Sequence, residues 1–362
     1  MRKIRVLVVD DSVVIRRLLT DVLSQDPEIE LAGTAPNGRI ALAKLPQLTP
    51  DLVTLDIEMP ELDGLGTLPE IRKLYPRLPV IMFSTLTERG ASATFDALAL
   101  GASDYVTKPA NVGSVAAAIQ SVREQLIPKI KALCATPIAA AAARSTSAAS
   151  SPAILPRPAN RLPQRCDLVV IGSSTGGPQA LQAVLKDLPA SFPVPIVVVQ
   201  HMPPIFTHHL ANRLNQECPL SVREAAQGDV VRAGEVLIAP GNYHVELRRG
   251  ARDISVALTQ APPENSCRPA VDVLFRSAAQ LCGAHTAAVV LTGMGQDGRR
   301  GAEQIVRAGG VVVAQDEATS VVWGMPRAVA EAGLARQVLP LGSIAQELLR
   351  NVAVGRRTAV TI

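Results

Sequence analysis

Along the chain, short runs of apolar residues recur with polar, helix-length segments between them. In residues 1–125 the runs are "IRVLVVD", "IELAGTA", "DLVTLDI", "PVIMFS" and "DYVTKP". Runs this short, rich in Val, Ile and Leu, read as strands, and the segments between them as helices. Five such units predict a parallel sheet covered by helices on both faces. The alternation resumes at "CDLVVIG" (166–172) and continues through "PIVVVQ" (195–200), "AAVVLTG" (287–293) and "VVVAQD" (311–316). Residues 234–258, "GEVLIAPGNYHVELRRGARDISVAL", alternate apolar and polar positions across Gly and Asn, which predicts an antiparallel hairpin added to the second sheet.

The pattern lapses between about 133 and 165, where Ala, Ser and Pro dominate without apolar periodicity. Such a stretch has no face to bury and reads as a linker. The expected organisation is two doubly wound α/β domains, 1–125 and 166–352, joined by 126–165. Composition agrees: hydrophobic residues make up 48% and aromatics only 2%, so the cores must be built from Val, Ile, Leu and Ala. That suits buried parallel strands better than an all-β sandwich.

The formal charge of +4 adds little, because Lys129, Lys131, Arg144, Arg157, Arg161 and Arg165 lie in or beside the linker. Neither a nucleic-acid surface nor a basic recognition helix is expected. The five cysteines are scattered without a CxxC pair, which argues against a disulfide framework or zinc site and for a reducing cytoplasm. The opening "MRKIRVLVVDDS" ends its apolar run in two aspartates rather than a cleavage site, so it reads as a strand and not a signal peptide. No apolar stretch approaches the ~18 to 20 residues that span a bilayer, and a soluble protein is expected. Nothing in the sequence demands more than a monomer.

Two constellations carry chemistry. In the first domain Asp10 and Asp11 follow the first strand, Asp56 ends the third, Ser84 and Thr85 end the fourth, and Lys108 ends the fifth. An open parallel sheet binds ligands outside the carboxyl ends of its strands, so these groups converge at one edge. Three carboxylates meeting there call for a hard divalent cation such as Mg²⁺. With that charge and Lys108 in balance, one carboxylate can attack a phosphoryl donor.

In the second domain "GSSTG" (172–176) fits the G-x-S-x-G turn that thrusts a serine up at the top of a sheet. A phosphate cradle competes for it, but the stretch lacks the Gly-Lys-Ser/Thr ending of a P-loop and the spacing of a dinucleotide fingerprint. A plain structural turn also stays open. A serine needs a base, and the base an orienting partner. His201 ends "PIVVVQ", and Asp297 lies in the loop after "AAVVLTG", both on the carboxyl edge. His208, His209, His244 and His285 compete on residue type but not on position, and Asp297 could instead cap the helix that follows it.

"VVDDS", "LDIEMPELDG" and "YVTKP" resemble the receiver domain of two-component response regulators over residues 1–125. The resemblance implies a five-stranded flavodoxin-like fold and phosphorylation of Asp56 by a histidine kinase. It further implies Mg²⁺ held at Asp56 by Asp10, Asp11 and the Glu58 carbonyl, with Lys108 and Ser84 meeting the phosphoryl group. Ser84 is preferred over Thr85 because it directly follows the strand.

"IGSSTGGPQA", "VVQHMPPIFT", "VLTGMGQDG" and "VVWGMPRAV" resemble the catalytic domain of the chemotaxis protein-glutamate methylesterases over residues 166–350. That implies a Rossmann-like domain in which Ser174 is the nucleophile, His201 the general base and Asp297 its orienting partner. The Met294 amide would donate to the oxyanion and Thr175 would help position the histidine, with Ser173 a spectator. The implied substrates are glutamate methyl esters and glutamines on chemoreceptor cytoplasmic helices, with no cofactor for the esterase step. Regulation is expected through a receiver that covers the Ser174 pocket until phosphorylated Asp56 repositions Ser84 and Tyr105. Cys267 and Ala270 stand where that family often has His and Ser. The rival reading is a response regulator with a non-catalytic nucleotide-binding output.

Overall fold

Each helix of the first unit begins at a short polar side chain that accepts a main-chain N–H, which is why helices start where they do between the strands. The computed structural model describes residues 2–109, 114–135, 165–250 and 253–354. In it the chain divides into two units, 1–150 and 151–362, and each is described by itself. The strands of the first are β1 (Ile4–Val9), β2 (Ile29–Ala35), β3 (Leu52–Asp56), β4 (Val80–Ser84) and β5 (Asp104–Thr107). Its helices are α1 (Val13–Ser24), α2 (Gly38–Leu48), α3 (Gly64–Leu74), α4 (Glu88–Ala99) and α5 (Val115–Cys134). Their caps are Ser12, Asn37, Asp63, Thr87 and Ser114 in turn.

All pairings in this sheet are parallel, in the order β2-β1-β3-β4-β5. The order reverses direction between β1 and β3, and an open α/β sheet forms its binding crevice at that switch. On one face Val6, Val8, Ile81, Phe83 and Val106 pack against Leu19 and Val22 of α1 and Leu126 and Ile130 of α5. This packing moves a boundary. Residues 126–134, read as linker, continue α5 because Leu126 and Ile130 are buried in the core. The rest of the expected linker, 136–164, lies outside the described residues.

The second unit runs β6 (Leu168–Ser173), α6 (Gly177–Lys186), β7 (Ile196–Gln200), α7 (Phe206–Glu217), β8 (Ser221–Glu224) and β9 (Glu235–Ile238). It continues with β10 (His244–Arg249), β11 (Ile254–Thr259), α8 (Val271–Cys282), β12 (Thr286–Val290), α9 (Arg299–Arg307) and β13 (Val311–Gln315). It closes with α10 (Met325–Glu331), β14 (Gln337–Leu339) and α11 (Leu341–Ala353). Seven strands form one parallel sheet, β14-β13-β12-β6-β7-β9-β8, with β6 at its centre. Among the described residues no helix is long and apolar enough to cross a membrane.

The expected hairpin splits in two. Residues 235–238 join the parallel sheet between β7 and β8, while β10 and β11 pair antiparallel as a separate two-stranded sheet. The reason is burial: Val245, Leu247 and Val256 share a core with Leu274, Phe275 and Ala278 of α8. The hairpin therefore rests on a helix rather than extending the sheet. It also leads into the loop that reaches the site described next.

Candidate functional site

In the first unit, Asp10 follows β1, Asp56 closes β3 and Lys108 follows β5, so the sheet itself gathers them. Lys108 Nζ lies 2.7 Å from Asp56 Oδ2 and 3.1 Å from Asp10 Oδ2. Asp10, Asp11 and Asp56 each offer an oxygen within 4.8 Å of the others, and no other such cluster occurs among the described residues. Burial pushes the Asp56 carboxyl up; Lys108 opposes this, Asp10 adds to it, and the net is upward. Among the described residues, the buried Oδ2 atoms of Asp10 and Asp56 have only the Lys108 ammonium as partner. An all-oxygen, strongly acidic set of this kind fits a hard divalent cation.

The other residues expected at this edge lie differently. The Glu58 carboxylate pairs with Arg89 at 3.3 Å, which leaves its main-chain carbonyl as what it could offer a cation. Ser84 Oγ is turned to α4, donating to the Gly90 carbonyl at 3.1 Å and accepting from Thr94 Oγ1 at 2.8 Å. Tyr105 is buried with Lys129 Nζ 5.1 Å from its ring centroid, and burial together with Asp104 pushes its hydroxyl pKa up.

In the second unit Ser174 sits on the turn from β6, the central strand, into α6. Gly176 has φ +75°, a conformation that L side chains rarely adopt, and a Cβ there would stand 2.6 Å from Val321 Cβ. Both neighbouring strands grip the turn. From the loop just after β12, the Thr292 carbonyl accepts from Ser174 N at 3.0 Å; from β7, Gln200 Nε2 donates to the Ser174 carbonyl at 2.9 Å. Buried Ser173 donates to Gln200 Oε1 at 2.7 Å, so its hydroxyl serves the scaffold. A Cβ on Gly293 would lie 2.8 Å from Ser174 Cβ, so the loop carrying Met294 runs directly beside the serine. Thr175 is buried, and its carbonyl accepts from Thr292 Oγ1 at 2.9 Å.

His201 follows β7, its main-chain N–H donating to the Ser173 carbonyl at 3.1 Å. Its Nε2 lies 2.8 Å from Asp297 Oδ2. Asp297 is buried and accepts from Val271 N at 2.7 Å, Asp272 N at 3.0 Å, Gly298 N at 2.9 Å and Asn265 Nδ2 at 2.8 Å. Val271 and Asp272 open α8, so the carboxylate sits at the positive end of that helix and not only at the helix that follows it in sequence. Burial would push Asp297 up, but His201 and these N–H groups outweigh it and hold the pKa below the ordinary value. Burial would push His201 down, but Asp297, and after it Cys267, hold its pKa above the ordinary value. The two directions agree with a charge-assisted pair.

His201 Nδ1 faces Cys267 Sγ at 3.5 Å. Among the described residues no hydrogen bond joins Ser174 Oγ to the imidazole; where no ligand is bound, such contacts are often long and tighten only when one arrives. Three of the four competing histidines have polar partners elsewhere, and the ring of the fourth, His209, stands edge-on to His208 with centroids 6.3 Å apart. His208 faces Glu224 at 3.6 Å, His244 accepts from Ala270 N at 3.2 Å, and His285 meets the Arg165 carbonyl at 2.6 Å. Two contributors escaped sequence reasoning. Gln200 could have been suspected as a polar residue closing a valine strand, whereas Asn265 carries no local signal because its role depends on the fold of its loop.

The family described as "CheB methylesterase" matches residues 169–348, and that described as "Response regulator receiver domain" matches residues 6–120. A protein-glutamate methylesterase/protein-glutamine glutaminase of Trichodesmium erythraeum is 54% identical over 353 residues, spanning 97% of this chain and 100% of that protein. A Nocardioides protein of the same name is 57% identical over 367 residues, spanning 99% and 98%. Among solved structures, the Thermotoga maritima CheB methylesterase catalytic domain is 46% identical, with a TM-score of 0.51, covering 52% of this chain and 99% of that one.

Proposed function

The chain belongs to the protein-glutamate methylesterase/protein-glutamine glutaminase family, with a receiver domain ahead of the catalytic one, and from that premise we propose that Ser174, His201 and Asp297 carry its hydrolysis. The 2.8 Å contact between His201 Nε2 and Asp297 Oδ2 is the observation that carries this reading. It fixes the tautomer, placing the proton on Nε2 and leaving Nδ1 as the nitrogen able to accept one. Membership of the family displaces the nucleotide-binding alternative.

Ser174 Oγ attacks the carbonyl carbon of a glutamate γ-methyl ester on a chemoreceptor cytoplasmic helix while His201 Nδ1 takes the hydroxyl proton. The Met294 N–H donates to the oxyanion that forms, and Thr175 helps seat the imidazole. As the tetrahedral centre collapses, the ester C–O bond breaks and His201 returns the proton to the departing methoxide, which leaves as methanol. Water, deprotonated by His201, then hydrolyses the acyl-serine and frees glutamate and Ser174. With a glutamine substrate the same steps release ammonia in place of methanol.

Control runs through Asp56, phosphorylated by a histidine kinase, with Lys108 and Ser84 meeting the phosphoryl group. Ser84 would have to leave its present partners on α4, and Tyr105 to shift with it. Asp10, Asp11, Asp56 and the Glu58 carbonyl would hold Mg²⁺, which supplies charge neutralisation for phosphoryl transfer. The enzyme works in the cytoplasm. The test is methanol release from methylated receptor membranes by wild type, Ser174→Ala and Asp56→Asn, each with and without a phosphodonor. Activity lost with Ser174 and unresponsive to phosphodonor in Asp56→Asn is expected; an active Ser174→Ala enzyme would overturn the assignment.

A further inference from the structure

The loop from β11 to α8 carries a tight turn whose ends, Glu264 and Cys267, exchange main-chain hydrogen bonds of 3.1 and 2.9 Å. Its two central residues, Asn265 (φ +51°) and Ser266 (φ +62°), are both left-handed, and neither is glycine. Backbone strain of this kind persists where the surroundings impose it, and it concentrates at sites with work to do. One end is clamped to α8, where Arg276 donates to Glu264 through both terminal nitrogens, at 2.6 and 2.7 Å. At the exposed tip, Asn265 sends its amide inward. Nδ2 donates to Asp297 Oδ1 at 2.8 Å and to Asp272 Oδ2 at 2.9 Å.

Both acceptors are buried carboxylates, and Asp272 is further fixed by Gly301 N at 2.7 Å from its Oδ1. A primary amide has two N–H groups on one nitrogen, enough to give each acid its own donor. A hydroxyl could serve only one. We propose that Asn265 is a positioning residue for the hydrolysis: it turns Asp297 so that Oδ2 faces His201, and it offsets the negative charge of Asp272 behind it. This rests on Asp297 orienting His201. The other titratable or charged groups about the pair are Cys267, with Sγ 3.5 Å from Nδ1, and Glu264 with its partner Arg276.

Asn265→Gly is the discriminating variant, because glycine adopts a left-handed φ without cost and so removes the amide without adding strain. Its kcat should fall about tenfold to a hundredfold, the loss of a hydrogen bond to a charged group, with KM changed little. The acid limb of its kcat/KM profile should move to higher pH, since more uncompensated negative charge beside His201 favours the imidazolium. Asn265→Asp, which tolerates the same backbone but adds a third carboxylate, should fall further. An Asn265→Gly enzyme within twofold of wild type overturns the proposal. So does a loss of activity that is uniform with pH and matches the fraction unfolded in a thermal melt. Ser174→Ala and Asp297→Ala, assayed alongside, keep the questions apart. If either retains wild-type activity the catalytic assignment itself fails; if both are inactive and Asn265→Gly is normal, only the positioning role falls.

Discussion

His201 Nε2 and Asp297 Oδ2 stand 2.8 Å apart although 96 residues separate them in the chain. The contact exists because β7 and β12 flank the same central strand, β6, and each ends on the same edge of the sheet. If Asp297 orients the base as proposed, replacing it with Asn should lower kcat by about 10⁴-fold, as loss of the orienting carboxylate does in serine proteases. Methanol release under saturating substrate measures it; a loss of less than tenfold would show that the carboxylate does not orient the base.

The pH profile follows from the same pair. The base proposed here, His201, can act only when neutral, and its pKa is held above the ordinary value of 6.5. Activity should therefore rise with pH through a limb above 6.5, and Asp297→Asn should draw that limb downward. In stability the sign is opposite. A histidine raised by folding contributes fully below its unfolded pKa and loses that contribution as pH climbs through the folded one. Thermal melts of wild type and Asp297→Asn across that range should converge as the pH rises.

Adjacent serines should behave unlike each other. Ser174→Ala is expected to cost on the order of 10⁴ to 10⁶ in turnover, the scale of a lost nucleophile. Ser173→Ala removes one buried hydrogen bond to Gln200, about 1 kcal/mol of stability, and should leave turnover within a few-fold. A reversed ranking in the two assays would move the nucleophile by one residue.

Gly176→Ala tests the turn itself. A side chain at φ +75° costs about 1 to 2 kcal/mol, and its contact with Val321 adds to that. The melting temperature should drop and turnover with it, because the strain falls two residues from Ser174. An unchanged melt would mean that the turn relaxes freely.

The acidic cluster of the receiver predicts a metal-linked stability. Without a divalent cation, Asp56→Asn should melt higher than wild type, since it removes one of three carboxylates crowded within 4.8 Å. Millimolar Mg²⁺ should raise the wild-type melting temperature by linkage and leave Asp56→Asn nearly unmoved. Equal responses in the two proteins would argue against a cation at this place.

Sequence periodicity made most of this architecture legible, for physical reasons visible in particular elements. Central strands such as β6 and β12 are buried on both faces, so their sequences are bare apolar runs. The edge strands β8 and β14 are short and half-exposed, and nothing in "SVRE" or "QVL" set them apart from loop. That Ser174, His201 and Asp297 lie at one edge of the sheet was legible because strand ends are countable positions. Asn265 and Asp272 were not, since their meeting depends on a strained turn and on how α8 seats against the loop after β12.

The hairpin of β10 and β11 shares no main-chain pairing with the seven-stranded sheet and leans on α8 instead. Substitutions there would reach Asp297 through α8, whose first residues Val271 and Asp272 donate to it, while no strand of the seven-stranded ladder pairs with the hairpin.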